Sequence, residues 1–145
     1  MATGGEAMDR EGLEILGMDE CLRLIARARV GRVAFMEAGE PLILPVNHAL
    51  DRSNTIVFRS ARGSKLDAAW GGHAVAFEVD GYDEASRIGW SVVVRGAADI
   101  VTDPRDYEHL ESLGLRPWAD AVPRVEWIRI RPTEISGRRI LPRVI

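Results

Sequence analysis

The sequence predicts a mainly β protein, an antiparallel β-barrel of six or seven short strands with helices at its periphery. Its apolar segments alternate with period two, and tight turns or short helices join them instead of regular crossover units. A long apolar run also contains Gly96, and a long strand with an internal glycine usually bends, as barrel strands must. These observations favour a barrel over a doubly wound sheet.

The first predicted elements are a helix and a hairpin. Residues 17–28 place apolar side chains at i, i+3, i+4 and i+7, the spacing of an amphipathic helix. Residues 33–36 and 41–50 alternate on either side of a turn at 37–40, so we expect an antiparallel hairpin. Pro45 removes a backbone donor from the second strand, which indicates an edge, a bulge or a ligand contact there.

The middle of the chain adds two strands around a short helix. We expect the third strand at residues 55–60, directly after a turn at 51–54, and the fourth at 73–80, where apolar residues alternate. Residues 63–70 have helical spacing between them. A polar loop at 81–89 then leads into the long apolar strand at 90–101.

The last third predicts one more helix and the closing strands. A helix starts after Thr102 with Pro104 in its first turn, and it ends at residues 116–118. Residues 126–131 alternate and form the sixth strand, and residues 133–140 are a candidate for a separate final one.

Composition bounds the class of protein. The 145 residues are enough for one domain, which we expect at 16–145 behind a flexible N-terminal tail at 1–15. The net charge of −3 argues against a nucleic-acid partner, and no apolar run is long enough to span a membrane. A single cysteine, Cys21, and the lack of a secretory-signal pattern indicate a cytoplasmic location.

The strongest candidate site is the predicted strand–turn–helix at residues 56–70. It holds Lys65, the only lysine beside 18 arginines, at a place that suits a compact ammonium. Arg59, Ser60, Ser64 and Lys65 are all groups that bind phosphate oxygens, and the free amides at a helix start attract the same anion. The alternative is that the serine caps the helix while both cations are solvated.

Other constellations are poorer. His48, His73 and His109 lie on separate predicted elements without metal-ligand spacing, so we expect no metal site. His48 follows Asn47 directly and is a candidate for substrate contact, with strand surface or a buried core histidine as the alternatives. No nucleophile motif is present.

Several stretches together resemble the small subfamily of pyridoxamine 5′-phosphate oxidase-like flavoproteins. The resemblance covers residues 16–140, and its order and spacing make it more specific than any single piece. The stretches are ARVGRVAF at 28–35, LPVN at 44–47, FRS with GSKL at 58–66, GWSVVVRG at 89–96, RPW at 116–118 and GRRI at 137–140.

The resemblance implies a six-stranded split barrel that forms a homodimer and holds FMN at the subunit interface. It implies that the FMN phosphate is bound by Arg59, Ser60, Ser64 and Lys65. It further implies that the isoalloxazine ring lies along Pro45, Val46 and Asn47, that Trp90 and Ser91 approach the flavin, and that Trp118 and Arg139 close the site. Ordinary packing is the alternative for both tryptophans.

We therefore expect an FMN-dependent oxidoreductase that acts on a small molecule. The C-terminal substrate-binding segment of the true pyridoxamine phosphate oxidases is not found, so that activity is not expected. No catalytic residue can be named, because a flavin carries the electrons itself. The alternatives are a non-catalytic protein that binds or stores flavin, F420 or haem on the same fold, and a cofactor-free interaction domain.

Overall fold

The computed structural model describes residues 7–61, 69–116 and 125–142. These residues contain seven strands and two helices. The strands are β1 (Glu14–Leu16), β2 (Val30–Glu37), β3 (Glu40–Leu50), β4 (Ile56–Ala61), β5 (Gly71–Asp83), β6 (Ile88–Ile100) and β7 (Val125–Ile140). The helices are α1 (Met18–Arg27) and α2 (Pro104–Ser112). Most of the short helix predicted at 63–70 lies outside the described residues.

The sheet closes on itself, which confirms the predicted mainly β barrel. Neighbouring strands run in the order β1-β7-β4-β3-β2-β5-β6, and β6 pairs with β7 as well. Strands β2 to β7 therefore form a closed six-stranded ring, with β1 added on β7. The predicted hairpin is confirmed too: β2 and β3 meet at Ala38 and Gly39, whose φ angles of 49° and 82° suit a two-residue turn.

Strand β7 corrects the prediction of two separate closing strands. It runs without interruption from Val125 to Ile140, and its residues 128–140 pair with β6. The register shifts beside Gly96, opposite Pro132, so Pro132 occupies an irregular position where a ladder donor is not needed. A Cβ at Gly96 would collide with the carbonyl oxygen of Arg131, so only glycine fits this bend.

Two helices cover different parts of the barrel. Helix α1 buries Cys21, Leu24 and Ile25 in the main core, while α2 packs Leu110 on the outer face of β4 and β7. Among the described residues no helix covers the outer face of β3, β2, β5 and β6. We call this surface the open face.

Two segments predicted to be irregular belong to the sheet. Residues 14–16, most of them assigned to the N-terminal tail, pair with residues 137–139 of β7, and Arg138 Nε donates to Asp9 Oδ2 at 3.1 Å. The polar loop predicted at 81–89 is a hairpin whose turn is confined to residues 84–87. Neither segment has a periodic signal in the sequence, because β1 is only three residues long and residues 81–83 are mostly polar or glycine.

Candidate functional site

Strands β3 and β4 separate, and the predicted site lies at their separation. They pair only where His48–Leu50 meets Ile56–Phe58, and beyond that point β4 continues along β7. Residues 40–47 of β3 consequently have β2 on one side and no described strand on the other. Pro45 thus lies on an edge, one of the alternatives predicted for it. We call this opening the gap.

The gap exposes a row of backbone groups. His48 donates its backbone N–H to Arg29 O at 3.4 Å. The backbone N–H and C=O groups of the even-numbered residues of β3 therefore point toward β2, and those of the odd-numbered residues point into the gap. Pro41 and Pro45 are both odd-numbered and have no N–H, which blunts the edge against pairing with another strand. In the described part of the chain, the remaining carbonyls and the N–H groups of Ile43 and Asn47 have no backbone partner, so they can bind a ligand.

Arg59 borders the gap with its hydrogen-bonding capacity only partly used. Its side chain is 22% exposed, and Nη2 lies 3.6 Å from Glu111 Oε1. Nη1 donates to Leu115 O at 3.4 Å, and the guanidinium carbon lies 5.0 Å from the Trp127 ring centroid. Its Nε is buried and has no partner among the described residues. Among the described residues this mostly buried cation has one distant carboxylate and an unused donor, which favours an anionic ligand.

Asn47 is brought next to Arg59, as the predicted site requires. His48 and Phe58 form the last pair between β3 and β4. Asn47 and Arg59 are the next residue on each strand, on the side of the gap. Asn47 Nδ2 donates to Arg116 O at 3.2 Å, so both side chains bind the segment that follows α2.

Ser60 and Val46 point the other way. Both are buried, Val46 packs in the main core, and the Ser60 hydroxyl accepts a hydrogen bond from Trp70 Nε1 at 3.3 Å. The Ser60 backbone is paired with Glu126 of β7, so the hydroxyl proton is what remains to donate to an anionic ligand at the end of β4. Ser64, Lys65 and Trp118 lie outside the described residues, so their roles stay predictions.

Trp90 and Ser91 lie apart from this group within one chain. Ser91 is on β6, three strands from Asn47, a distance of about 14 Å along the sheet. Trp90 covers Gly81, where a Cβ would lie 2.7 Å from the indole Nε1, which supports a packing role for this ring. Arg139 is the β7 partner of Trp90 and lies 3.5 Å from Glu14 Oε2, so it too has a structural partner.

The open face lies between these two groups of residues and is partly apolar. Six large apolar side chains on its strands are exposed by more than a third: Val30, Met36, Ile43, Tyr82, Ile88 and Val93. Arg32 crosses its middle, with Nη1 3.6 Å from Glu78 Oε1 and 3.2 Å from Asp80 Oδ2. Burial and the neighbouring Asp80 raise the pKa of Glu78 to about 7.

Sequence reasoning missed this carboxylate pair and the contacts of Arg59 with α2. Glu78 and Asp80 stand at i and i+2 of a predicted strand, so their shared face was a usable signal. Glu111, which accepts from Trp127 Nε1 at 3.0 Å, carries no such signal, because its partners come from other segments.

The histidines give no metal site in the described residues, where no group of three or more candidate ligands occurs. His48 is 5% exposed, and its Nε2 lies 2.9 Å from Ile25 O, so the core-histidine alternative is the correct one. Burial lowers its pKa. Within the described ranges, neither helix has the length and apolar character needed to cross a bilayer.

Comparison with known proteins identifies the family of this chain. The family described as pyridoxamine 5′-phosphate oxidase matches residues 18–139. The chain belongs to this family. An uncharacterized protein of Mycobacterium tuberculosis is 38% identical over 138 residues, which are 91% of this chain and 88% of the relative.

Solved structures of this fold include flavin-binding proteins. The FAD-binding protein from Mycobacterium smegmatis is 37% identical, with a TM-score of 0.75, over 86% of this chain and 96% of its own. An FAD- and haem-binding protein from the same organism is 15% identical, with a TM-score of 0.67, over 89% of this chain and 75% of its own, and so shows the fold alone. The predicted split barrel of the flavin-binding type is therefore confirmed as the fold.

Proposed function

We propose that this chain binds FMN in the gap and acts as an oxidoreductase on a small molecule. The observation that carries the proposal is Arg59, a mostly buried cation whose Nε has no described partner at the border of an open strand edge. Lys65 and Ser64 follow in the predicted phosphate-binding motif. Two cations balance the two charges of a phosphate monoester, and the arginine fork matches its oxygens.

The edge of β3 suits the ring end of the same ligand. A flavin ring presents donors and acceptors along its pyrimidine side, and residues 43–47 offer carbonyls with two N–H groups in one row. Asn47 adds a side-chain amide that is fixed by Arg116 O at 3.2 Å. The residues present therefore fit an FMN whose phosphate is at Arg59 and whose ring follows the gap. When bound, the flavin supplies the hydride- and electron-transfer chemistry, and the protein binds and orients it.

A second copy of the chain completes this site in our proposal. Trp90 and Ser91 lie about three strands from Asn47 in one chain, too far to contact a ring held at the gap. The open face between them exposes Met36 by 57% and Ile43 by 63%, which supports self-association through this surface. In the homodimer the partner's β6 supplies the second wall.

The identity of the co-purifying compound tests the proposal. We expect the purified protein to be yellow, to release FMN on denaturation as identified by mass, and to run as a dimer by light scattering. Reduction of the bound flavin by a nicotinamide cofactor and reoxidation by a nitro compound would support turnover. Release of haem alone, or failure to bind added FMN, would contradict the flavin assignment.

A non-catalytic carrier is the second candidate. It is supported by the FAD-binding and haem-binding relatives on this fold, whose names record binding and no reaction. Retention of FAD or F420 in place of FMN, with no reduction by either nicotinamide cofactor, would favour it.

A further inference from the structure

A second polar site lies outside the gap, beside the first turns of α2. It is a groove of about 300 Å³ between this helix, the turn after β3 and the outer face of β7. Val57 and Arg59 occupy successive outward positions on β4, and Thr55 directly precedes that strand. Val57 and Leu110 are fully buried between the groove and Arg59, so an apolar cluster separates the two places.

Part of the charge in the groove is already balanced. Arg129, whose side chain is 12% exposed, pairs with Asp51 Oδ2 at 2.5 Å and donates to Thr55 Oγ1 at 3.1 Å. Asp106 lies 3.6 Å from the same guanidinium, and Arg105 lies 3.1 Å from Asp103. The pair between Arg129 and Asp106 joins α2 to the barrel, the pair between Arg105 and Asp103 lies within the first turn of α2, and these four residues retain little capacity for a ligand.

Two other arginines of the groove are not balanced. Arg52 and Arg131 line it, and the side chain of neither has an ion pair or a hydrogen bond with any residue in the described part of the chain. His109 lines it too, and its Nε2 is buried without a partner among those residues. The groove thus combines two uncompensated positive charges with a ring nitrogen whose hydrogen-bonding capacity is unused.

We propose that this groove is a phosphate-binding site, separate from the flavin site. Arg52 comes from the turn after β3 and Arg131 from β7, so two guanidinium forks approach one small volume from two elements. Their two charges match a phosphate dianion, whose oxygens accept bidentate hydrogen bonds from arginine. The ligand is inorganic phosphate or the phosphate end of a small monoester.

Titration of the full-length protein with inorganic phosphate, at constant ionic strength, tests this site. Chemical shifts of backbone amides locate binding residue by residue, so this site and Arg59 are observed separately. We expect saturable shifts at Arg52, Ser53 and His109, whether or not flavin is bound. The Arg52→Gln/Arg131→Gln variant should bind at least about tenfold more weakly, because two charge-assisted contacts are lost.

A charge-matched variant provides the control. Arg10→Gln/Arg87→Gln removes two exposed arginines from other surfaces and should change the affinity less than about twofold. Equal weakening of both double variants, shifts that never saturate, or shifts confined to the surroundings of Arg59 would overturn the proposal. Repeating the titration with glycerol 3-phosphate distinguishes the sources: tighter binding indicates a monoester, and equal or weaker binding indicates inorganic phosphate. Loss of flavin binding with these shifts retained would refute the proposed function alone.

Discussion

Arginines near the two ends of β7 differ in how far their charge and hydrogen-bonding capacity are satisfied by the fold. Near its C-terminal end, Arg138 donates to Asp9 Oδ2 at 3.1 Å, and Arg139 lies within ion-pair distance of both Glu14 and Glu20. Beside its N-terminal end, Arg59 has one carboxylate at 3.6 Å and a buried Nε without a described partner. In a chain with 18 arginines, residue type says little, and the degree of satisfaction separates structural cations from those available to a ligand.

The largest expected effect, on flavin affinity, comes from removing the two cations of the proposed phosphate site. Arg59→Ala combined with Lys65→Ala should abolish flavin retention, because two charge-assisted contacts worth about 3–6 kcal/mol are lost, or about 10²- to 10⁴-fold in affinity. The measurement is calorimetric titration of the apoprotein with FMN. Arg138→Ala, at the satisfied end, is the matched control and should keep the flavin. A double variant that stays folded and equally yellow would contradict the site.

The free energy of unfolding should depend more on a satisfied arginine than on Arg59, the reverse of the order expected for flavin binding. Asp51→Ala leaves the mostly buried Arg129 with a single carboxylate at 3.6 Å and removes the acceptor of the Ser53 N–H, so we expect a loss of about 3 kcal/mol in the free energy of unfolding. Arg59→Gln should cost less, about 1 kcal/mol, because its ion pair with the exposed Glu111 is long and its Nε has no described partner. Urea unfolding of both variants measures the difference. Equal losses would remove the distinction between structural and available arginines.

Local signals explain how much of the fold could be predicted. The turn at Ala38-Gly39 and the bend at Gly96 depend on residues that are rare elsewhere in strands, and both were found from the sequence. Strand β1 was not, because three residues have no periodicity and their β7 partners lie more than a hundred positions away. The continuity of β7 was missed because Pro132 resembles a break until Gly96 is placed opposite it.

The candidate site divides in the same way. Pro45 and Arg59 were identified from a missing donor and a phosphate-type motif, both local properties. The gap that joins them exists because β3 and β4 pair over three residues only, which a single sequence does not state. Glu111 of α2 and the Trp127 indole, which contact Arg59, become its neighbours only after the chain has folded.

Glu111 offers a smaller test of the unsatisfied end. Its carboxylate is 57% exposed and lies 3.6 Å from Arg59 Nη2, so it competes with an incoming phosphate for the same donor. Glu111→Gln keeps an oxygen for Trp127 Nε1 and removes the charge. We expect FMN to bind about two- to fivefold more tightly, within the range of exposed ion pairs. Glu108→Gln, on the exposed side of α2, should leave the affinity unchanged, and weaker binding in Glu111→Gln would assign this residue to holding Arg59 in place.

Arg32 on the open face is intermediate between the two conditions and gives a pH test. It has two carboxylates within 3.6 Å, yet burial and Asp80 raise the pKa of Glu78 from 4.5 to about 7. Between these two values the folded chain holds a proton that the unfolded chain has released, so this group's contribution to stability falls as pH rises. Glu78→Gln should remove that dependence and melt higher than the wild type at pH 8 by about a few degrees, with a smaller difference at pH 5. Melting temperatures at the two pH values measure it, with Glu40→Gln as the exposed control. A Glu78→Gln variant that loses more stability at pH 8 than at pH 5 would show that the ionised carboxylate stabilises Arg32, which would place this arginine with the structural ones.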